Sequence, residues 1–130
     1  MEIDVYESYG RFYEEFNVGM KFKHWPGKTI TQSDNHNFCM LTMNHNPLHI
    51  DVEYMKNHQH KKPLVVGLLT LSLIVGMTVQ ELSGKAIANL GYEQVKHEGP
   101  VFEGDTIHAV SEVIDMRESK SNPNAGIVKV

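Results

Sequence analysis

The sequence predicts an α+β domain in which an antiparallel sheet wraps a single apolar helix. Three observations carry that expectation. One uncharged apolar run, Leu64 to Val79, suits a helix; everything after Lys85 changes to short strand-like segments; and the Gly, Pro and Asp residues between those segments make turns that pair consecutive strands antiparallel. With 130 residues and 14.8 kDa, residues 1–130 are expected to form one domain, long enough to bury a core and too short for two.

In chain order, the first 25 residues are aromatic and acidic, with Tyr6, Tyr9, Phe12, Tyr13, Phe16, Phe22 and Trp25 before the Pro26-Gly27 turn. That composition predicts an extended arm with only short strand pieces. Lys28 to Thr31 reads as a strand. Thr31 or Ser33 caps a helix running to about Met43, and Asp34 suits its positive N-terminus. A polar cluster, Asn44-His45-Asn46-Pro47-Leu48-His49-Ile50-Asp51, follows at once. Asp51 then caps a short helix reaching Asn57, which the polar linker His58 to Pro63 stops.

The apolar helix is expected from about Val65 to Leu82, buried on nearly all sides, with Ser83-Gly84 supplying a glycine C-cap. Ile87 to His97 reads as a strand, and Glu98-Gly99-Pro100 breaks it. Val101-Phe102 leads to a turn at Glu103-Gly104-Asp105. Thr106 to Met116 alternates, with Ile107, Ala109 and Val113 among polar neighbours, and the loop Ser119 to Gly126 precedes a final run, Ile127 to Val130.

Composition removes several function classes. A net charge of -4, a pI near 6.0 and the absence of any Lys/Arg run give no electrostatic footprint for nucleic acid. The apolar run is shorter than the roughly 20 residues a membrane span needs, and the acidic N-terminus has no secretory apolar core, so no membrane partner is expected. The single cysteine, Cys39, lies between Phe38 and Met40; it reads as a buried structural thiol and fits a cytoplasmic location. No metal is expected either. His45 and His49 are four apart with Pro47 between them, His58 and His60 are two apart, and no His-Glu-X-X-His pattern or cysteine pair is present.

The polar octapeptide is where chemistry is expected. His49 is a titratable group placed two residues after a proline that restricts the backbone on both sides. Asn46-Pro47-Leu48-His49, followed by Gly67 at the start of the long apolar helix and by strands with a turn at Gly104-Asp105, resembles the MaoC-like (R)-specific enoyl-CoA hydratases. The similarity runs from about Tyr9 onward. The aromatic arm and the Arg117-Glu118-Ser119-Lys120-Ser121 loop are similar to the branch of MaoC-like dehydratases related to mesaconyl-CoA and methylmalyl-CoA hydro-lyases.

The resemblance implies a hot-dog fold and a hydro-lyase that adds or removes water at the double bond of an enoyl-CoA thioester, as in fatty acid metabolism. It assigns His49 as acid/base, Asn46 as a positioner of water or backbone, and Gly67 as the donor whose N–H faces the thioester oxygen; Pro47 and Val66 would adjoin the substrate. CoA enters as part of the substrate, with no cofactor besides. Lys56, Lys61, Lys62, Lys85 and Arg117 are candidate cations for its phosphates. Hot-dog proteins commonly pair sheets across a dimer, so a homodimer or higher homo-oligomer is implied. The family normally continues past the strand that reaches Val130, so the sheet is expected to lack its final strand and to leave an edge.

One position departs from the family pattern. Asn44 stands where the family has its catalytic aspartate. In the enzyme reading it is a catalytic-site residue that positions water or substrate by hydrogen bonds, but an amide cannot take or supply a proton at neutral pH. The departure keeps an alternative open: a non-catalytic acyl-CoA or acyl-thioester binding protein. Asp51 is a poorer substitute carboxylate than a helix cap, and His45 a minor candidate. A thioesterase of the same fold fits less well, because Leu64 to Gln80 contains no carboxylate.

Overall fold

The computed structural model describes residues 1–130. Its helices are α1 (Val5–Ser8), α2 (Gln32–Thr42), α3 (Pro47–Ile50), α4 (Val52–Met55) and α5 (Gly67–Thr78), with 3-10 turns at Tyr13–Glu15 and Ser83–Lys85. Its strands are β1 (Lys21–Lys23), β2 (Lys28–Thr29), β3 (Thr106–Ile107), β4 (Val110–Glu112), β5 (Asp115–Glu118) and β6 (Gly126–Lys129). All pairing is antiparallel: β1 with β4, β2 with β3, and β5 with β6. The class is α+β, as expected.

Contacts gather the chain into two compact units. One comprises Gly27–Val75 and Tyr92–His108; the other comprises Met1–Pro26, Gly76–Gly91 and Ala109–Val130. In the first, Ile30, Cys39, Val65, Val66 and Leu69 form the core, with Phe38, Ile50, Leu73, Val101 and Ile107 packed on it. Burial pushes the Cys39 thiol up from its ordinary pKa, with the Glu103 charge adding to the effect, so the cysteine is an inert core residue.

Helix α2 starts where local chemistry places it. Thr31 Oγ1 accepts from the Asp34 N–H at 3.1 Å, and Asp34 Oδ2 accepts from the Thr31 N–H at 2.8 Å, a reciprocal capping box. Lys28 Nζ donates to the same Asp34 oxygen at 2.7 Å and, with the Thr31 bonds, holds the carboxyl down at a pKa of about 2. At the other end Met43 adopts the left-handed conformation (φ 59°) and its N–H returns to the Cys39 carbonyl.

The second unit is centred on Phe16, Leu82 and Val113, with Met20, Phe22, Met116 and Val128 against them. Buried His24 is fully engaged there: Nδ1 lies 2.8 Å from Glu81 Oε2 and Nε2 2.8 Å from Ser111 Oγ. The Arg11 guanidinium lies over the Phe22 ring and donates to the Glu81 carbonyl. These contacts join the N-terminal arm to the segment following α5 by charge as well as by apolar packing.

Several expectations are corrected. The arm contains a helical turn, α1, because Asp4 accepts from the Tyr6 N–H at 2.9 Å, and a 3-10 turn, because Glu15 accepts from the Phe12 N–H at 2.7 Å. Helix α5 begins at Gly67 rather than Val65: the Val65 N–H donates to the Val101 carbonyl (2.8 Å) and the Val66 N–H to Asn35 Oδ1 (3.0 Å), which keeps both valines outside the helix. It ends at Thr78, where Gly76, Thr78 and Val79 are weak helix formers. Gly84 is therefore no C-cap; it is small because the Tyr9 ring would lie 2.7 Å from a Cβ there. Nor is α5 buried all round, since Leu69 is its only buried residue and Leu68 is 58% exposed.

The segment from Ile87 to His97 is not a strand. Its apolar residues alternate loosely, but no ladder within the chain receives it, and Ile87, Leu90, Tyr92 and Val95 are exposed. The Thr106–Met116 run divides into β3, β4 and the start of β5, because β3 pairs with β2 whereas β4 pairs with β1. No helix is long and apolar enough to cross a membrane.

Candidate active site

The chain leaves α2 through Asn44, whose N–H donates to the Cys39 carbonyl and whose Oδ1 accepts weakly from the Asn46 N–H at 3.4 Å. Asn46 then caps α3: its Oδ1 accepts from the Leu48 N–H at 3.0 Å, and Pro47 occupies the first helical position, where its missing N–H costs nothing. This single turn carries His49. The amide and proline pattern that looks like loop punctuation is the device that fixes the histidine backbone.

The His49 ring is fixed as well. Nδ1 lies 2.8 Å from the Leu64 carbonyl oxygen, and the Leu64 N–H donates back to the Leu48 carbonyl at 2.9 Å. A carbonyl can only accept, so Nδ1 carries the hydrogen; in the neutral ring the lone pair is then on Nε2. That tautomer is the one a general base needs.

Below the histidine, buried Asn35 of α2 joins four groups. Its Nδ2 donates to the His49 carbonyl (3.2 Å), the Leu64 carbonyl (3.1 Å) and Glu103 Oε1 (3.2 Å), while its Oδ1 accepts from the Val66 N–H. Three acceptors share two hydrogens, so the amide is fully used. Glu103 Oε1 also lies 3.7 Å from His36 Nε2. Val66 itself is a core side chain, held from both ends.

Past Val66 the chain enters α5 at Gly67. The N–H groups of Leu69 and Thr70 return to the Val66 carbonyl, leaving those of Gly67 and Leu68 as free donors at the positive end of a 12-residue helix. The His97 ring lies against this glycine: a Cβ on Gly67 would come within 2.7 Å of Cε1, 2.9 Å of Nδ1 and 3.0 Å of Nε2. Only glycine leaves that space open.

Residues 15–130 match the family model of the MaoC like domain. The chain belongs to the MaoC-like domain family. It is 32% identical over 121 residues to the mesaconyl-CoA hydratase of Cereibacter sphaeroides and 31% identical over 121 residues to the beta-methylmalyl-CoA dehydratase of Chloroflexus aurantiacus. Each alignment covers 93% of this chain but only 35% and 34% of the respective relative, so the chain spans a minor part of their length. Among solved structures, the (R)-hydratase from A. caviae matches with a TM-score of 0.71 and 33% identity, over 82% of this chain and 79% of that one. This MaoC-like domain accordingly has the hot-dog fold.

Within this MaoC-like domain, His49 is bonded to Leu64, three residues before Gly67, and Asn35 is bonded to both Leu64 and Val66. Asn44 and Asn46 use their amide oxygens in the turn. Asp51 caps α4, its Oδ1 accepting from the Tyr54 N–H at 2.8 Å, as expected. His45 is exposed, and a surface hollow lined by Tyr54, Asn57 and His58 involves neither His49 nor Gly67. Of the candidate phosphate cations, Lys56 pairs with Glu53 (2.6 Å), Lys62 lies over the Phe102 ring, Lys85 over Tyr6 and Phe12, Lys61 donates to the Lys56 carbonyl, and Arg117 donates to the Glu118 carbonyl.

Sequence reading missed Asn35, Glu103 and His97. One signal for Asn35 was available. It precedes Cys39 by four positions, on the inward face of α2, and a polar side chain on a buried face must have partners. Glu103 looked like turn punctuation, and nothing local links His97 to Gly67, thirty positions away.

Proposed function

We propose that this MaoC-like domain is a hydro-lyase acting on an enoyl-CoA thioester, with CoA as part of the substrate. The observation that carries the reading is the Nδ1–H to Leu64 carbonyl bond, which leaves the His49 Nε2 lone pair as a base on a ring tied to the segment that opens into the free N–H groups of Gly67 and Leu68. In hydration, Nε2 takes a proton from water as the water oxygen bonds to the β-carbon. Negative charge then develops on the thioester oxygen, where preorganised backbone donors at a helix N-terminus lower the barrier. Protonation of the α-carbon completes addition, and elimination runs the same steps backwards. The Pro47 turn and Asn46 serve this chemistry by holding His49.

The relatives named mesaconyl-CoA hydratase and beta-methylmalyl-CoA dehydratase support branched dicarboxylic thioesters as the first substrates to test. The same reading takes the protein to be cytoplasmic and a homodimer. Asn44 favours a second reading, an acyl-thioester binding protein, because its amide supplies no proton. Loss of enoyl absorbance on incubation with crotonyl-CoA and with mesaconyl-CoA separates the two. For the enzyme, His49→Ala lowers kcat by on the order of 10²–10⁴ while thioester binding is retained. A protein that binds the thioester and turns over neither substrate is the binding module.

A further inference from the structure

We infer that His97 is the second proton carrier of the site, delivering to the α-carbon the proton that Asn44 cannot. The inference rests on the hydro-lyase reading above. Hydration moves two protons at different places: one leaves water at the β-carbon, and one arrives at the α-carbon. His49 Nε2 accounts for the first. Of the residues around the octapeptide, Asn44 has no exchangeable acid, Asp51 is committed to the α4 cap, and Glu103 Oε1 is taken by Asn35.

His97 is differently placed. Its Nδ1–Cε1–Nε2 edge faces Gly67, all three atoms lying within 3.0 Å of where a Cβ would be. In a helix the Cα–Cβ direction tilts towards the N-terminus, so a ring in that direction sits beside the free donors of α5 rather than along its flank. A thioester whose oxygen accepts from the Gly67 N–H would have its α-carbon one bond from the carbonyl carbon, next to that edge. His97 comes from an irregular, exposed segment, so its ring can move aside for substrate and exchange protons with solvent.

The step balances. His49 Nε2 takes a proton from water while the oxygen bonds to the β-carbon, and the electron pair of the double bond moves through the α-carbon to the thioester oxygen. Imidazolium His97 then gives an N–H proton to the α-carbon as the carbonyl re-forms. His49 leaves the cycle protonated and His97 neutral, and transfer through solvent restores both. No co-reactant is required.

The test compares the unaltered chain with His97→Asn and His97→Gln, with and without Asn44→Asp, in hydration of crotonyl-CoA, with thermal unfolding as a control on folding. The expected result is a loss of kcat on the order of 100-fold or more in both single variants with KM little changed. Adding Asn44→Asp is expected to recover roughly tenfold or more of that loss, because a carboxyl group at the loop again supplies the acid. An unchanged kcat overturns the inference. So does a raised KM at constant kcat, which would make His97 a binding contact, or a raised kcat, which would make it an obstruction over Gly67. An unaltered protein without turnover overturns the hydro-lyase reading as well, whereas an active protein indifferent to His97 overturns this inference alone.

Discussion

Asn35 concentrates more of the site in one side chain than any member of the polar loop. It holds the carbonyls of His49 and Leu64 and the N–H of Val66, so the His49 ring, which leans on the Leu64 carbonyl, is positioned through it. Asn35→Leu keeps the volume and strands the His49 carbonyl and the Val66 N–H, while the Leu64 carbonyl keeps its bond from His49 Nδ1. An unsatisfied buried group costs about 1–3 kcal/mol, so urea unfolding is expected to show a loss of at least that size, together with reduced turnover. At Gly67 the outcome is of another kind. Gly67→Ala places a methyl group against the His97 ring; because His97 is exposed, the ring can yield and the fold survive. Unfolding midpoints close to those of the unaltered chain, with lowered turnover, are expected.

Among the elements, α2 has the most explicit boundary chemistry. Thr31→Ala removes one half of the capping box and is expected to cost about 1 kcal/mol in denaturant unfolding. Asp34 is the other half, and its effect depends on pH. Its folded pKa of about 2 lies below its ordinary 3.8, so its stabilisation is complete above the unfolded value and is lost as pH falls through the folded one. The stability gap between the unaltered chain and Asp34→Asn is therefore expected to be constant near neutrality and to close between pH 4 and pH 2, as followed by unfolding midpoints across that range. What the sequence revealed divides along the same line. The cap at Thr31, the stop at Met43 and the Asp51 cap were legible because short-range hydrogen bonds decide them. The start of α5 was not, because Asn35 and Val101 take the N–H groups of Val66 and Val65 from far along the chain. His49 was legible in its Asn-Pro setting, whereas the ring fixed on the Leu64 carbonyl and the approach of His97 to Gly67 belong to the fold and leave no local trace.

For the whole molecule the telling residues are the apolar ones in water. Ile87 is 83% exposed and Leu90 74%, both in the segment whose strand-like composition joins no β-ladder, and Leu68 on α5 is exposed too. Strand formation needs a ladder, and apolar side chains gain roughly 25 cal/mol per Å² when removed from water. A second copy of the chain answers both demands, which is the physical basis for expecting a homodimer. Light scattering is expected to give twice 14.8 kDa. Leu90→Glu and Ile87→Lys, which put charge where burial is proposed, are expected to shift the protein towards monomer with little effect on the cores around Ile30 and Val113. If the partner also orders the chain leading to His97, dilution and the Leu90→Glu change should lower turnover in parallel with the loss of dimer. Full turnover in a monomeric variant would separate assembly from catalysis and leave His97 to be positioned by its own chain.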